Sequence, residues 1–398
     1  MEISKVPKTE LTQRLERFTN EMDKAYDGWE ICAIIGSVSM FYLTGTICDG
    51  LLLIRRGMGA TLWVRRSYER CMIESEFSDI RQMRSFRDIA VEVGALPDTL
   101  YLDIAHASME WHRFFSKYMK FSNVLPIDKI MLSTRSVKSE YELERIRLSG
   151  KKTDSILRND FPKLMRDGIS ELELYVELYA MCVKGGHEGY SRFSMMETDV
   201  TLGHVGFGDS PLYPSVFNGA SGTPGLCPAI PALGSRSRFL KDGNLVYVDI
   251  CFCIDGYNTD KTLVFSYKRK QPEHVVAAHQ HCLDLHRHAA SLLRPGNKPS
   301  EIYAEVLGMV LPEFKHNFMG APGRTVPFIG HGVGLYVDEM PVIAKRFDTP
   351  LENGMTIAIE PKIGIDGIGM VGNENTYLVT DKGGVSLTGE CSEIIVVN

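Results

Sequence analysis

The stretch Leu245-Val-Tyr-Val-Asp-Ile-Cys-Phe-Cys-Ile-Asp-Gly-Tyr-Asn-Thr-Asp-Lys-Thr-Leu-Val-Phe-Ser-Tyr267 decides how this chain is to be read. Two β-rich blocks, Leu245–Phe252 and Lys261–Tyr267, flank Asp255-Gly256, a dipeptide suited to a tight hairpin turn. Asp249 interrupts the first block, and Asp260 stands just ahead of the second. An unpaired buried carboxylate is costly, so acids inside apolar strands need a cation or a proton. Asp260 follows Asp249 by the length of a strand, a tight turn and a returning strand. The spacing therefore predicts that the two carboxylates face each other on adjacent strands.

Further along, Glu360 lies in Met355-Thr-Ile-Ala-Ile-Glu-Pro-Lys362, and Glu374 in Val371-Gly-Asn-Glu-Asn-Thr-Tyr-Leu-Val-Thr380, both in strand-like runs. His331 sits in Ile329-Gly-His-Gly-Val-Gly334, where glycines let the backbone crowd the imidazole. Taken singly, each has a plain reading as a turn, cap or tight-loop residue. Together, four carboxylates and one imidazole make a hard, oxygen-rich donor set that suits Mn²⁺, Fe²⁺, Co²⁺ or Zn²⁺. Two such ions sharing carboxylates would hold a bridging hydroxide and polarise a carbonyl.

The rest of the chain frames these residues. Its 398 residues favour two domains over one, and 44% hydrophobic with 24% charged residues excludes a disordered, collagen-like or coiled-coil chain. A formal charge of -6 lacks the electrostatic footprint of a nucleic-acid binder. Nine cysteines, scattered from Cys32 to Cys391 without a Cys-x-x-Cys pair, form neither a disulfide framework nor a zinc ladder and point to a reducing cytoplasm. The start, Met1-Glu-Ile-Ser-Lys-Val-Pro7, lacks the features of a signal peptide, and no apolar run is long enough to span a membrane.

A helix is expected over Leu11–Met22 and strands at Ile31–Ile35, Gly50–Ile54 and Ala60–Val64, an α/β pattern. Ser139-Glu-Tyr-Glu142 is a capping box opening an amphipathic stretch through about Leu157, which places a domain boundary between Pro126 and Lys138. Residues Gly203–Gly234 are rich in Gly and Pro and read as a long ordered loop with short strands, since Phe207, Tyr213, Phe217, Leu226 and Ile230 argue against disorder. A helix over Glu273–Leu293 carries His274, His279, His281, His286 and His288. Residues seven apart lie two turns away along a helix, too far to share an ion, so these imidazoles are assigned to a solvated face or a subunit contact. Cys251 and Cys253 project to the side of Asp249 and are read as small buried residues.

The order Asp249, Asp260, His331, Glu360, Glu374 carries a resemblance. The contexts are Val-Asp-Ile, Asp-Gly-Tyr-Asn-Thr-Asp-Lys-Thr, Gly-His-Gly-Val-Gly-Leu, Ile-Glu-Pro and Glu-Asn-Thr, and they resemble the dinuclear centre of the pita-bread metallopeptidases. That superfamily holds methionine aminopeptidase, aminopeptidase P, prolidase and the metal-free creatinase. Met40-Phe-Tyr-Leu-Thr-Gly45 is similar to a segment of the creatinase-type N-terminal domain, and Arg135-Ser-Val-Lys-Ser-Glu-Tyr-Glu142 resembles the usual entry into the catalytic domain.

The resemblance implies an α/β (α+β) fold: a creatinase-type, ribonuclease-H-like domain over residues 1–137, then a pita-bread catalytic domain over 138–398. It implies two divalent metal ions, Mn²⁺ foremost, with Asp249 on one, His331 and Glu360 on the other, and Asp260 and Glu374 bridging. The implied activity is that of a cytoplasmic Xaa-Pro aminopeptidase or prolidase. In it a hydroxide held between the ions attacks an amide, and Glu360 carries the proton. Expected partners are a short peptide or small molecule and a second copy of the chain, with neither nucleic acid nor membrane.

Two departures stand against this pattern. The family's second histidine, seven residues after His331, is here Asp338, and no histidine lies between His204 and His274, where one usually precedes the first metal Asp. His204 is a candidate to hydrogen-bond a developing oxyanion in its place. Asp338 is a candidate to accept a cationic substrate group or shuttle a proton. These departures keep two alternatives open. One is a non-peptidase enzyme on the same scaffold, a lyase or a hydrolase of a small cyclic or N-substituted amino acid of the ectoine-hydrolase or creatinase kind. The other is a non-catalytic binding protein.

Overall fold

Ser139 Oγ accepts a hydrogen bond from the Glu142 N–H at 3.3 Å, and Glu142 Oε2 accepts one from the Ser139 N–H at 2.9 Å. The capping box thus closes two orphan donors at the head of the helix Glu140–Ser155. This geometry comes from a computed structural model that describes residues 4–194, 199–216 and 218–398; Met1–Ile3 and Phe217, both used above, lie outside them. The chain divides into two compact units, Met1–Arg135 and Ser136–Asn398.

In the first unit, the helix Lys8–Ala25 buries Leu11, Phe18 and Met22 along one face. Its six-stranded sheet has Ile31–Ile34, Asp49–Arg55 and Gly59–Arg66 as an antiparallel core. Thr99–Leu102 and then Asn123–Pro126 add in parallel at one edge, and Ile80–Gln82 adds in parallel at the other.

The second unit is built on one nine-stranded sheet. Its main path runs Glu339–Ala344, Phe328–Gly332, Thr356–Ile359, Glu374–Leu378, Tyr257–Tyr267, Leu245–Ile254 and Gly203–Phe207, with every neighbour antiparallel. The opening hairpin is longer than its sequence blocks and turns on Asp255 (φ 48°) and Gly256 (φ 82°), the left-handed pair that a two-residue hairpin loop requires. The long loop expected from Gly203 opens with one of its short strands, Gly203–Phe207, which pairs with Leu245–Ile254.

The hairpin reads as apolar on both faces because both faces are covered. Val246, Val248, Ile250 and Phe252 pack with Leu174 and Leu178 of the helix Glu171–Gly185. Leu245, Tyr247 and Val264 pack on the other side with Val275, Cys282 and Leu285 of the helix Glu273–Ser291. Further along that second face the same strand presents Asp249 and Cys251, where the apolar packing gives way to a cavity.

Two of the five helix histidines serve this sheet rather than a solvated face or a subunit contact. His279 and His286 are buried. His286 Nδ1–H donates to Asn373 O and its Nε2 accepts from the Tyr377 hydroxyl, both at 3.1 Å. His279 Nε2–H donates to Ser392 O at 2.9 Å, and its Nδ1 accepts from the Gly372 N–H at 3.1 Å. Both imidazoles are therefore neutral and use both nitrogens, and burial lowers the pKa of His286 to about 3. They fix Gly372 and Asn373, the residues that lead into Glu374. Among the described residues, no helix is long and apolar enough to cross a membrane.

Replacing His286 with Ala should open a cavity and strip partners from Asn373 O and the Tyr377 hydroxyl, costing about 2–4 kcal/mol in denaturant unfolding. The same variant should bind divalent metal more weakly, because Glu374 follows Asn373 directly. An unchanged unfolding midpoint would contradict this role.

Candidate metal centre

Strand register gathers the acids into two rows on one face of the sheet. The two-residue turn sets Ile254 opposite Tyr257, so Asp249 pairs with Thr262 and Asp260 pairs with Cys251. The two aspartates are thus diagonal neighbours on one face rather than directly opposite, as their spacing had predicted. Thr262 is also the partner of Glu374, and the pair Ile359–Asn375 brings Glu360 beside Glu374. In the next row Thr376 Oγ1 bonds to the N–H and the carbonyl of Asp260, and Ala358 pairs with both Thr376 and His331. All seven residues singled out in the sequence line one cavity of about 220 Å³: Asp249, Asp260, His331, Glu360, Glu374, His204 and Asp338.

Within that cavity the donors separate into two groups. Asp260, His331 and Glu374 each offer one ligand atom, and these atoms all lie within 4.8 Å of one another. His331 Nε2 is 3.9 Å from Asp260 Oδ2, 3.8 Å from Glu374 Oε1 and 3.6 Å from Glu360 Oε1. His331 Nδ1–H donates to Gly332 O at 3.1 Å, which fixes the tautomer and leaves Nε2 to face the carboxylates. The second group surrounds Lys362, whose Nζ lies 2.8 Å from Glu360 Oε2, 2.8 Å from Glu374 Oε2 and 3.0 Å from Asp249 Oδ2.

Lys362 is the residue that sequence reasoning missed. It stands two positions after Glu360, beyond Pro361, and was passed over as the end of a strand-like run. A basic residue immediately downstream of a buried acid was the available signal. Ser221 and Tyr247 were missed as well, and both hydroxyls donate to Asp249 Oδ2, at 3.2 and 3.0 Å.

Charge compensation explains the protonation of the group. Burial pushes the Asp249 pKa up, but Lys362 and His204 beside it more than reverse that and hold it at about 2. Burial, with Asp249 nearby, raises Asp260 to about 7, and burial together with Asp260 and Glu360 raises Glu374 well above the usual carboxylate range. Burial would lower the pKa of His331, yet Glu360 and Asp260 raise it overall. Lys362 is likewise penalised by burial and still held strongly cationic by Asp249, Glu360 and Glu374.

His204 is the register partner of Asp249 on the neighbouring strand, and burial lowers its pKa, favouring the neutral imidazole. Asp338 accepts from Ser194 through both oxygens, from the N–H at 2.5 Å and from Oγ–H at 2.8 Å. Cys251 lies between the aspartates as a buried thiol, with Sγ 3.7 Å from Asp260 Oδ1. Phe193, Val200, Phe328 and Val342 supply apolar walls.

These residues fit a divalent ion at one position. Glu374 is 1% exposed and its Oε1 has no hydrogen-bond partner, an orphaned acceptor beside His331 Nε2 and Asp260. His331 Nε2 stands 3.9 Å from Asp260 Oδ2 and 3.8 Å from Glu374 Oε1, both inside the ~4.2 Å that one ion with bonds near ~2.1 Å can span. Around Lys362 the fit fails, because an ammonium already satisfies the three carboxylate oxygens there.

Comparison with known proteins agrees with this chemistry. The profile of metallopeptidase family M24 matches residues 144–381. The Xaa-Pro dipeptidase of Pyrococcus furiosus is 25% identical over 393 residues, which span 97% of this chain and 100% of that one. A putative dipeptidase of Bacillus subtilis, YkvY, is 28% identical over 263 residues, 66% of this chain and 63% of its own length. Among solved structures, an Xaa-Pro dipeptidase from Bacillus anthracis superposes with a TM-score of 0.80 at 21% identity, covering 97% of this chain and 99% of that chain. At that identity the likeness speaks to fold, and the fold is the α/β creatinase-type and pita-bread pair.

Asp260, Glu374 and His331 all have raised pKa values in the metal-free chain, so the folded state keeps protons that the unfolded state has released. Their contribution to stability is full at low pH and is lost as pH rises through the folded values. From about pH 5.5 to its folded pKa of about 7, Asp260 alone should withdraw about 2 kcal/mol. The neutral His204, His279 and His286, whose pKa values burial lowers, add stability as pH rises and oppose this change, so the readout is a difference: the melting temperature of Mn²⁺-saturated protein should rise relative to that of chelator-treated protein across the interval. Identical pH slopes with and without metal would contradict the assignment.

Proposed function

The chain belongs to metallopeptidase family M24, and we propose that it hydrolyses short peptides, Xaa-Pro dipeptides foremost, using a divalent metal held by Asp260, His331 and Glu374. The observation that carries this reading is the convergence of those three donors in a small, apolar-walled cavity. A divalent ion there supplies Lewis acidity toward an amide carbonyl and toward water.

The protein's own residues do the rest. Glu360 Oε1 faces His331 Nε2 at 3.6 Å while its Oε2 is held by Lys362, so the carboxylate is placed to take a proton from water and pass it to the leaving amine. His204, as a neutral imidazole beside Asp249, donates to oxygen as negative charge develops on the carbonyl. Asp338 holds Ser194 and thereby positions the Phe193 wall. Phe193, Val200, Phe328 and Val342 exclude water and accept an apolar side chain or a pyrrolidine ring.

The relative in Pyrococcus furiosus, aligned along 97% of this chain, supports the Xaa-Pro preference. Mn²⁺ is favoured by a donor set of carboxylates and one imidazole. Nine free cysteines support a reducing, cytoplasmic location, and the family resemblance supports a homodimer.

Metal-reconstituted protein assayed on a dipeptide panel should turn over Xaa-Pro members best. Asp260→Ala and Glu360→Ala should each lower kcat/KM by about 10²–10⁴. Full activity in either variant, or no turnover of any dipeptide by the metal-loaded wild type, would overturn the proposal.

A further inference from the structure

We infer that the ammonium group of Lys362 occupies one of the two cation positions of this centre, so that the chain holds one divalent ion where the family resemblance implied two. The inference rests on the reading of Asp260, His331 and Glu374 as metal ligands and goes beyond it.

The geometry is that of a saturated cation site. A lysine ammonium has three N–H donors, and Nζ has three carboxylate oxygens at 2.8, 2.8 and 3.0 Å, one each from Glu360, Glu374 and Asp249. Lys362 is 2% exposed, so the ammonium is shielded from bulk solvent and compensated by these carboxylates. Asp249, which the resemblance assigns to the first metal, already accepts from Lys362, Tyr247 and Ser221 on one oxygen. The lysine also lies 5.8 Å from the centre of the Tyr247 ring, a further contact that favours a cation there.

The backbone behind the ammonium is fixed. Lys362 O accepts from the Met319 N–H at 2.7 Å. At Gly372 (φ +116°) a side-chain carbon would come within 2.2 Å of Pro361 O and 3.0 Å of Lys362 Cα, so the two segments touch through bare backbone.

Charge count agrees with the geometry. Four carboxylates, one ammonium and one divalent ion leave a single negative charge. A second ion would set another divalent cation directly against the ammonium, and without a hydroxide between the ions it would make the cluster net positive. The orphaned Glu374 Oε1 faces His331 Nε2, 3.8 Å away, while Glu374 Oε2 faces the lysine, so this one carboxylate lies between the proposed metal position and the lysine position.

The test is a metal count. Wild-type protein loaded with excess Mn²⁺, freed of unbound ion by gel filtration and measured by elemental analysis, should carry one ion per chain. Its electron paramagnetic resonance spectrum should be that of an isolated Mn²⁺. Lys362→Gly should raise the count toward two and introduce the broadened signal of exchange-coupled ions. A wild-type count of two, or a coupled spectrum in the wild type, overturns the inference without need of a folded variant, and so does a folded Lys362→Gly that stays at one. Two ions with Xaa-Pro turnover would remove this inference and leave the peptidase reading standing. One uncoupled ion without turnover would do the reverse.

Discussion

Mutual repulsion among Asp249, Asp260, Glu360 and Glu374 is the constraint around which the catalytic unit is organised. Three of the four are 6% exposed or less, and all reach one cavity at the middle of a single sheet. At an effective dielectric near 20, two unit charges ~4 Å apart repel by ~4 kcal/mol, a large share of the ~5–15 kcal/mol by which a domain is stable. Cations or protons must therefore be part of the fold. Lys362 supplies one positive charge from within the chain, and burial raises the pKa values of Asp260 and Glu374 so that a proton, or the proposed divalent ion, relieves the rest. Thr262, Tyr247 and Ser221 donate hydroxyls to the same acids, and His279 and His286 hold the backbone that delivers Glu374.

Because the acids sit on antiparallel strands, their positions follow from register rather than from loop geometry. One two-residue turn at Asp255-Gly256 places Thr262 opposite Asp249, and the next strand repeats the row with Glu374 opposite Thr262. A slip of one residue would send these side chains to the face covered by the helix Glu171–Gly185. Fold and site are thus specified by the same interactions: the apolar residues on both faces of the hairpin fix the register that aligns the ligands.

Much of this was legible in the sequence because it was written locally. The hairpin dipeptide, the capping box at Ser139 and acids inside apolar runs each act within a few residues. The order of the five donors then identified the family. What escaped depends on contacts made across the sheet. His204 could be ranked as a candidate, but that it lies opposite Asp249 follows from pairing over a long connection. Asp338 was visible as a replacement, while its engagement with Ser194 required the folded chain. Lys362 looked like a strand-end residue because nothing local shows that, past Pro361, its side chain turns inward toward three carboxylates. The helix histidines misled for the same reason, since their partners lie some 90–110 residues away along the chain.

The central claim is that this centre is one metal position beside a lysine position. Crystallography of Mn²⁺-soaked protein, with anomalous data collected at the manganese edge, tests it most directly. The account predicts a single anomalous peak bounded by Asp260, His331 and Glu374, with Lys362 Nζ in density between Asp249, Glu360 and Glu374. Two peaks sharing Asp260 and Glu374, with the Lys362 side chain turned away from the carboxylates, would contradict it.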